Sequence, residues 1–254
     1  MTDVYWLEQT EGDAPREVDW LSPSEAVTLN GMRFAKRRAD WRLGRWTAKR
    51  AVALSLNLPG HSQSLAGIEI RPAPSGAPEV FIANRPAGAT ISISHRGGVA
   101  ACAVVLTGAL SGALSGTMLG CDLELIEPHS DAFIADYFTT EEQALVARVV
   151  SSDRWKTCAL IWSGKESALK ALGTGLRLDT RSVVVTPASA PGAAGEGGGD
   201  SDIWRPLHVR SIDGEAFHGW WNSTGDLVRT VVASPAPRAP ILLPPRGSQP
   251  READ

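Results

Sequence analysis

Two carboxylates, Asp122 and Glu124, stand two positions apart in residues 120–125, a spacing that suits the binding of a cation. We predict a strand here, in which both acids point to one face and Cys121 and Leu123 to the other. Like charges on one strand face repel each other unless a cation lies between them. Carboxylates without a histidine or cysteine partner suit a hard ion, Mg²⁺ or alternatively Mn²⁺, rather than zinc. Because Mg²⁺ in proteins commonly also binds substrate phosphates, the pair indicates a phosphate ester.

A further acid lies about forty residues downstream, in residues 162–172. The absence of proline and the run of alanine, leucine, lysine and glutamate predict a helix. On that helix Trp162, Glu166 and Lys170 fall at i, i+4 and i+8 and share one face, with Lys165 beside them. An ordinary exposed Glu–Lys pair would account for Glu166 and Lys170 alone. The acidic strand upstream favours the alternative, a site that combines acid and base.

Positive charge is concentrated in residues 32–56, which predict a long helix. Its cations are Arg33, Lys36, Arg37, Arg38, Arg42, Arg45, Lys49 and Arg50. A solvated helix face explains them as well as the functional alternative, an anion cradle in which arginine forks bind phosphate oxygens. A predicted strand at residues 90–94 ends in Ser94, His95 and Arg96 before two glycines. Polar side chains that converge on a glycine turn favour a ligand-facing site.

Other elements must position these groups. Residues 4–7 predict a short strand, and residues 23–29 predict a short helix with Ser22 as its N-cap. Val99–Leu106 has the continuous apolar run of a buried strand, and residues 227–233 predict the last strand of the chain.

Residues 97–121 carry no charge and have glycines at four-residue intervals, which nominally matches a membrane packing motif. The segment is rich in Gly, Ser and Thr and is followed directly by the acidic pair. We therefore predict no membrane span, and we interpret residues 107–117 as a small-residue connection.

Composition excludes several classes of protein. The 254 residues carry a formal net charge of −3, so there is no global basic field for nucleic acid, and the nine Trp are scattered rather than interleaved with Lys and Arg. Cys102, Cys121 and Cys158 are odd in number and have apolar neighbours, as expected of reduced thiols in a cytoplasmic protein. The first residues lack the basic-then-apolar order of a signal peptide.

A weak internal repeat predicts two similar halves. Residues 44–52 can be laid on residues 164–172, a separation of 120 residues, with Gly, basic, hydroxyl and Ala positions coinciding. We predict halves at residues 1–117 and 118–235, related by a pseudo-two-fold axis, with a site in the cleft between them. Residues 187–201 predict a flexible insertion. Residues 236–254 are rich in proline and charge and predict a disordered tail.

Three motifs together resemble those of a known family. Residues 120–124 (Gly-Cys-Asp-Leu-Glu), 137–142 (Tyr-Phe-Thr-Thr-Glu-Glu) and 162–170 (Trp-Ser-Gly-Lys-Glu-Ser-Ala-Leu-Lys) closely resemble the 4′-phosphopantetheinyl transferases. The run Ile-Ser-His at residues 93–95 and the length of the chain resemble the Sfp-type, pseudodimeric branch. The resemblance covers roughly residues 30–235.

The resemblance implies an α+β fold of two similar α/β subdomains, acting as a monomer. It implies transfer of phosphopantetheine from coenzyme A to a serine of an apo acyl or peptidyl carrier protein, with release of 3′,5′-ADP, as in holo-[acyl-carrier-protein] synthases. It also implies a Mg²⁺ ion on the pyrophosphate, held by Asp122, Glu124 and Glu166. Glu166 or a metal-bound water would be the base for the serine proton.

The remaining implied contacts are to coenzyme A. Lys165 and Lys170 would face the pyrophosphate, and Ser94 and His95 the nucleotide with its 3′-phosphate. Arg42 and Arg45 are the candidates for further anion contacts. Catalysis would depend chiefly on Asp122, Glu166 and Lys170.

One departure from the family pattern and two alternatives accompany this interpretation. The family often has a lysine in a Gly-Lys-Pro turn, where this chain has Gly-Ala-Pro at residues 76–78, so Arg71, Arg85 or Arg96 would have to replace that cation.

The first alternative is an inactive module of the same fold that binds carrier protein or coenzyme A. The second is an unrelated Mg-dependent phosphohydrolase, which the lack of a Walker-type glycine loop disfavours.

Overall fold

The computed structural model describes residues 1–107, 116–188, 203–212 and 214–245, which form two β-sheets, each with helices against one face. The helices are α1 (Pro23–Gly31), α2 (Ala35–Ser55), α3 (Ser62–Ala66), α4 (Asp131–Tyr137), α5 (Thr140–Arg148) and α6 (Arg154–Ala171). The strands are β1 (Tyr5–Thr10), β2 (Ile68–Pro72), β3 (Pro78–Ile82), β4 (Arg85–Arg96), β5 (Val99–Leu106), β6 (Met118–Leu125), β7 (Val183–Pro187), β8 (Arg205–Ser211), β9 (Ala216–Thr224), β10 (Leu227–Ser234) and β11 (Ile241–Leu242). The predicted α+β class is confirmed.

The two sheets repeat one topology. The first has the order β11-β1-β5-β4-β3-β2 and the second β6-β10-β9-β8-β7. In each half the first and last strands pair antiparallel: β1 with β5, and β6 with β10. In each half a long helix also follows the first strand along the chain, α2 after β1 and α6 after β6. The predicted arrangement of two similar subdomains is therefore present.

Each half also buries the same ion pair. Glu25 and Glu142 each close a capping box at the start of a helix, and each accepts a hydrogen bond from a backbone N–H of the strand that follows the long helix. Lys49 on α2 and Lys165 on α6 contact these carboxylates, and both lysine side chains are fully buried. This match equates Lys49 with Lys165, a separation of 116 residues, so the predicted register of the repeat is wrong by one helical turn.

A third apolar cluster joins the two sheets. Leu119, Cys121 and Leu123 of β6 pack in it with residues of β1 and β5 such as Trp6 and Ala101. The opposite face of β6 packs on α6, which confirms the predicted alternation along this strand. All three cysteines are buried and unbridged.

The prediction that the chain is disordered from residue 236 is wrong for residues 236–245. The strand β11 pairs parallel with β1 at the sheet edge, where the N–H of Ile241 donates to Val4 O and that of Leu243 to Trp6 O, both at 2.8 Å. A proline-rich segment is extended and can pair at the edge of a sheet. Composition alone does not show that this segment pairs with β1. Residues 246–254, most of the predicted insertion at 187–201 and most of the predicted connection at 107–117 lie outside the described residues.

In the described ranges, no helix combines the length and apolar character that crossing a membrane requires.

Candidate functional site

The carboxyl half brings β6 and α6 into direct contact at Gly120. A Cβ at this position would lie 1.8 Å from the carbonyl oxygen of Ser167, so only glycine permits this approach. The contact places Asp122, two residues along the same face of β6, beside the last turns of α6.

Asp122 and Lys170 form the centre of the site. The Lys170 ammonium donates to Asp122 Oδ1 at 2.7 Å and to the carbonyl of Cys121 at 3.0 Å. Burial alone would lower the pKa of Lys170, but Asp122, Cys121 and Glu166 together raise it, so the ammonium stays charged. Among the described residues, Lys170 makes no salt bridge with Glu166, which excludes the ordinary i,i+4 pair as an explanation of these two residues.

Asp122 is held by one oxygen only. Its side chain is buried, and Oδ1 accepts a second hydrogen bond from Ser94 Oγ at 2.8 Å. Oδ2 is buried and has no hydrogen-bond partner in the described part of the chain. A buried carboxylate oxygen without a partner is costly, and it is the kind of atom that a bound cation would satisfy.

Glu124 lies one step further along the same face. Its Oε1 accepts a hydrogen bond from Trp162 Nε1 at 3.1 Å, and its Oε2 lies 3.3 Å from Arg96 Nε. Burial and then the negative charge of Asp122 raise the pKa of Glu124 to about 7, against the opposing effect of Arg96 and Trp162. The surroundings of Glu124 therefore disfavour its negatively charged form when no cation is bound.

Glu166 completes the acidic group. Burial and then the charge of Asp122 raise its pKa, while Lys170 acts to lower it. The predicted residues Asp122, Glu124, Glu166 and Lys170 are thus brought together as one electrostatically coupled cluster, which we call the carboxylate cluster.

The fit of a hard divalent ion to the carboxylate cluster rests on its donor chemistry. Three carboxylates, two of them with raised pKa values, and the orphaned Oδ2 of Asp122 match the needs of Mg²⁺. As the side chains stand, however, no three acidic, histidine or cysteine groups in the described ranges surround one point.

The predicted nucleotide residues lie on opposite sides of β4. Ser94 is buried, and its hydroxyl accepts from the N–H of Leu123 at 3.2 Å besides donating to Asp122. This bonding contradicts the predicted contact of Ser94 with the nucleotide, because the hydroxyl is already satisfied within the protein. His95 is exposed and lies over Gly44 of α2, since a Cβ added to Gly44 would be 3.9 Å from His95 Cδ2. Of the two, His95 alone keeps a position that a ligand can reach.

Three predicted cations do not join the carboxylate cluster. Lys165 is fully buried, and its ammonium contacts Glu142 and donates to the carbonyls of Thr180 and Val183. The predicted contact of Lys165 with pyrophosphate is therefore wrong, because burial and the ion pair occupy it. Arg45 donates to Ile70 O at 2.9 Å within the amino half. Arg42 differs from both, because its Nε is buried and lacks a hydrogen-bond partner among the described residues.

Two of the three arginines proposed to replace the missing turn lysine are already paired. Arg71 contacts Glu69 and Asn84, and Arg96 contacts Glu124 and Glu127. Arg85 is exposed at the start of β4.

Sequence reasoning missed Ser94 as a partner of Asp122 and Trp162 as a partner of Glu124. A usable signal existed for the first, since Ser94 and His95 are adjacent in a strand and must point to opposite faces.

Comparison with known proteins addresses this same region. Residues 118–217, which contain the carboxylate cluster, match the model of the 4′-phosphopantetheinyl transferase superfamily. The resemblance to this family is confirmed. The chain is also 26% identical over 185 residues to the 4′-phosphopantetheinyl transferase HetI of Nostoc sp., covering 71% of this chain and 72% of that protein.

Solved structures of holo-[acyl-carrier-protein] synthases are more distant. The Helicobacter pylori enzyme in complex with coenzyme A is 21% identical, with a TM-score of 0.33, over 41% of this chain and 98% of its own. The Bacillus anthracis enzyme in complex with CoA (3′,5′-ADP) is 21% identical, with a TM-score of 0.36, over 42% of this chain and 97% of its own.

Proposed function

We propose that this protein transfers 4′-phosphopantetheine from coenzyme A to a serine of an apo acyl or peptidyl carrier protein and releases 3′,5′-ADP, a holo-[acyl-carrier-protein] synthase activity. The observation that carries the proposal is the carboxylate cluster with Lys170, which lies within the residues that match the transferase family. We also propose an Sfp-type enzyme that acts as a monomer, because one chain supplies both similar halves. We propose that it works in the cytoplasm, since its three cysteines are buried and unbridged, as expected in a reducing compartment.

Asp122, Glu124 and Glu166 would hold Mg²⁺, which when bound supplies charge neutralisation on the pyrophosphate. The donor set supports this assignment, since the three carboxylates repel each other without a cation. Lys170 keeps its positive charge beside Asp122 and adds to the neutralisation of the leaving group. His95, which is exposed, and Arg42 on α2, whose Nε has no hydrogen-bond partner among the described residues, would bind the anionic nucleotide end.

The proton of the acceptor serine needs a base. Glu166 is the candidate, because it is the carboxylate of the cluster that lies on α6, close enough to Asp122 and Lys170 for their charges to shift its pKa. The serine oxygen bonds to the phosphorus of the phosphopantetheine group, the bond from that phosphorus to the bridging oxygen breaks, and Glu166 takes the serine proton. Positioning and charge neutralisation supply most of the rate, as in other phosphoryl transfers.

Intact-protein mass spectrometry tests the proposal. Apo carrier proteins of fatty-acid, polyketide and peptide synthesis are incubated with the enzyme, coenzyme A and Mg²⁺, with EDTA as the control. We expect a mass gain of one phosphopantetheine on at least one carrier, and no gain in EDTA. Mg-dependent binding of coenzyme A without any mass gain would favour the inactive binding module. Phosphate release without a protein acceptor would favour a phosphohydrolase.

A further inference from the structure

Two serines of β4 connect the amino half to β6 of the carboxyl half. The N–H of Cys121 donates to Ser92 Oγ at 2.9 Å, and the N–H of Leu123 donates to Ser94 Oγ at 3.2 Å. Both serines are nearly fully buried, with 3% and 6% of their surface exposed. Since they stand two residues apart in one strand, they are a matched pair on the same face.

Only one of the pair reaches the carboxylate cluster. Ser94 Oγ donates to Asp122 Oδ1 at 2.8 Å, whereas Ser92 makes no hydrogen bond to an acidic side chain within the described ranges. Lys170 donates to that same Oδ1 from α6. Asp122 is thus held by one side-chain donor from each half of the protein, and Oδ2 has no hydrogen-bond partner among the residues that the structure describes.

We propose that Ser94 is a positioning residue, which fixes the orientation of Asp122 from the amino half so that Oδ2 remains available to a cation. This inference rests on the proposed function. It differs from the role implied by resemblance, in which Ser94 would bind the nucleotide. It also means that the carboxyl half does not have a complete site by itself, because one donor that orients Asp122 belongs to the other half.

The hydroxyl performs two tasks that no apolar residue can combine. It accepts the otherwise unpaired N–H of Leu123 and donates to a carboxylate. Hydrogen bonds to a charged group are stronger than neutral ones, so the second task has the larger effect on the orientation of Asp122. With only Lys170 as donor, whose side chain is flexible, Asp122 would sample other rotamers.

The test compares S94A with S92A. Both variants lose a hydroxyl that accepts from a buried N–H of β6, and S94A also loses the bond to Asp122, so we expect both to lower the melting temperature and S94A to lower it further. We expect S94A alone to lower kcat for carrier modification about tenfold, with the KM for coenzyme A little changed. We also expect S94A alone to weaken the Mg²⁺ dependence of coenzyme A binding, measured by calorimetry with and without the ion. S94T, which keeps the hydroxyl, should recover most of both effects.

The outcomes separate this inference from the proposed function. Equal effects of S94A and S92A on kcat and on Mg²⁺ dependence would overturn the inference and make Ser94 purely structural. A higher KM for coenzyme A in S94A with unchanged kcat would overturn it in favour of a nucleotide contact. If S94A does not fold, S94C, which keeps the volume with a weak donor, replaces it under the same criteria. If the wild type modifies no carrier, the proposed function fails, and the calorimetric comparison still decides the role of Ser94.

Discussion

Replacing Glu124 by glutamine should stabilise the metal-free protein above neutral pH. Burial and the charge of Asp122 raise the pKa of the Glu124 carboxyl from 4.5 to about 7. A raised pKa means that the folded state binds the proton more tightly than the unfolded state between these values. The free energy of unfolding therefore falls as pH rises from about 4.5 to 7, and the loss is complete above that range.

The size of this effect follows from the same shift. One pKa unit corresponds to about 1.4 kcal/mol, so a shift from 4.5 to about 7 means that the charged form of Glu124 costs on the order of 3–4 kcal/mol at most. The Glu124 side chain is only 17% exposed, so solvent screening removes little of it. Glutamine keeps an oxygen acceptor for Trp162 Nε1 and lacks the charge.

Urea unfolding between pH 4.5 and 8 in EDTA measures the effect. The difference in unfolding free energy between Glu124→Gln and wild type isolates Glu124 from other titrating groups, and it should grow with pH up to about 7. Glu127→Gln is the matched control, because Glu127 also pairs with Arg96 but is 46% exposed. A difference that stays flat or shrinks with rising pH would refute the reasoning. So would an equal effect of the control.

Three further predictions follow from the geometry. Asp122→Ala should lower transfer about 10²-fold or more while the fold is kept, because it removes the central carboxylate, and near-wild-type transfer by the purified variant would refute the assignment. His95→Ala should raise the KM for coenzyme A more than it lowers kcat, because a contact that is equally strong before and during the reaction contributes to binding and not to the chemical step. A lower kcat with an unchanged KM would instead place His95 in the chemistry. Lys165→Met should lower the free energy of unfolding by about 3–5 kcal/mol, as Lys49→Met should in the other half, without changing the KM for coenzyme A. An altered KM with normal stability would restore the pyrophosphate contact.

The elements with local signals were predictable from sequence. The helix around Glu166, the buried strand Val99–Leu106 and the Ser22 cap all appear in the structure. Helix propensity, apolar runs and capping residues act between near neighbours, which is why they can be recognised in one sequence.

What could not be predicted depends on contacts between distant residues. Lys165 and Lys170 are both cations near the end of one helix, yet one is buried against a helix cap and the other faces Asp122. The capping box of Thr139 and Glu142 was readable, but its buried lysine partner was not. Likewise, the pairing of Ile241 beside Tyr5 joins the two ends of the chain, and no local pattern reports it.

A double-mutant cycle on Glu124 and Glu166 tests most directly the central claim that the carboxylate cluster acts as one site. The transfer rates of Glu124→Gln, Glu166→Gln and the double variant are compared with wild type at saturating and limiting Mg²⁺. If the carboxylates act together, either change removes most of the metal-dependent rate and the second change costs little more. Independent, additive losses, or a Glu166→Gln variant with an unchanged rate, would contradict the account.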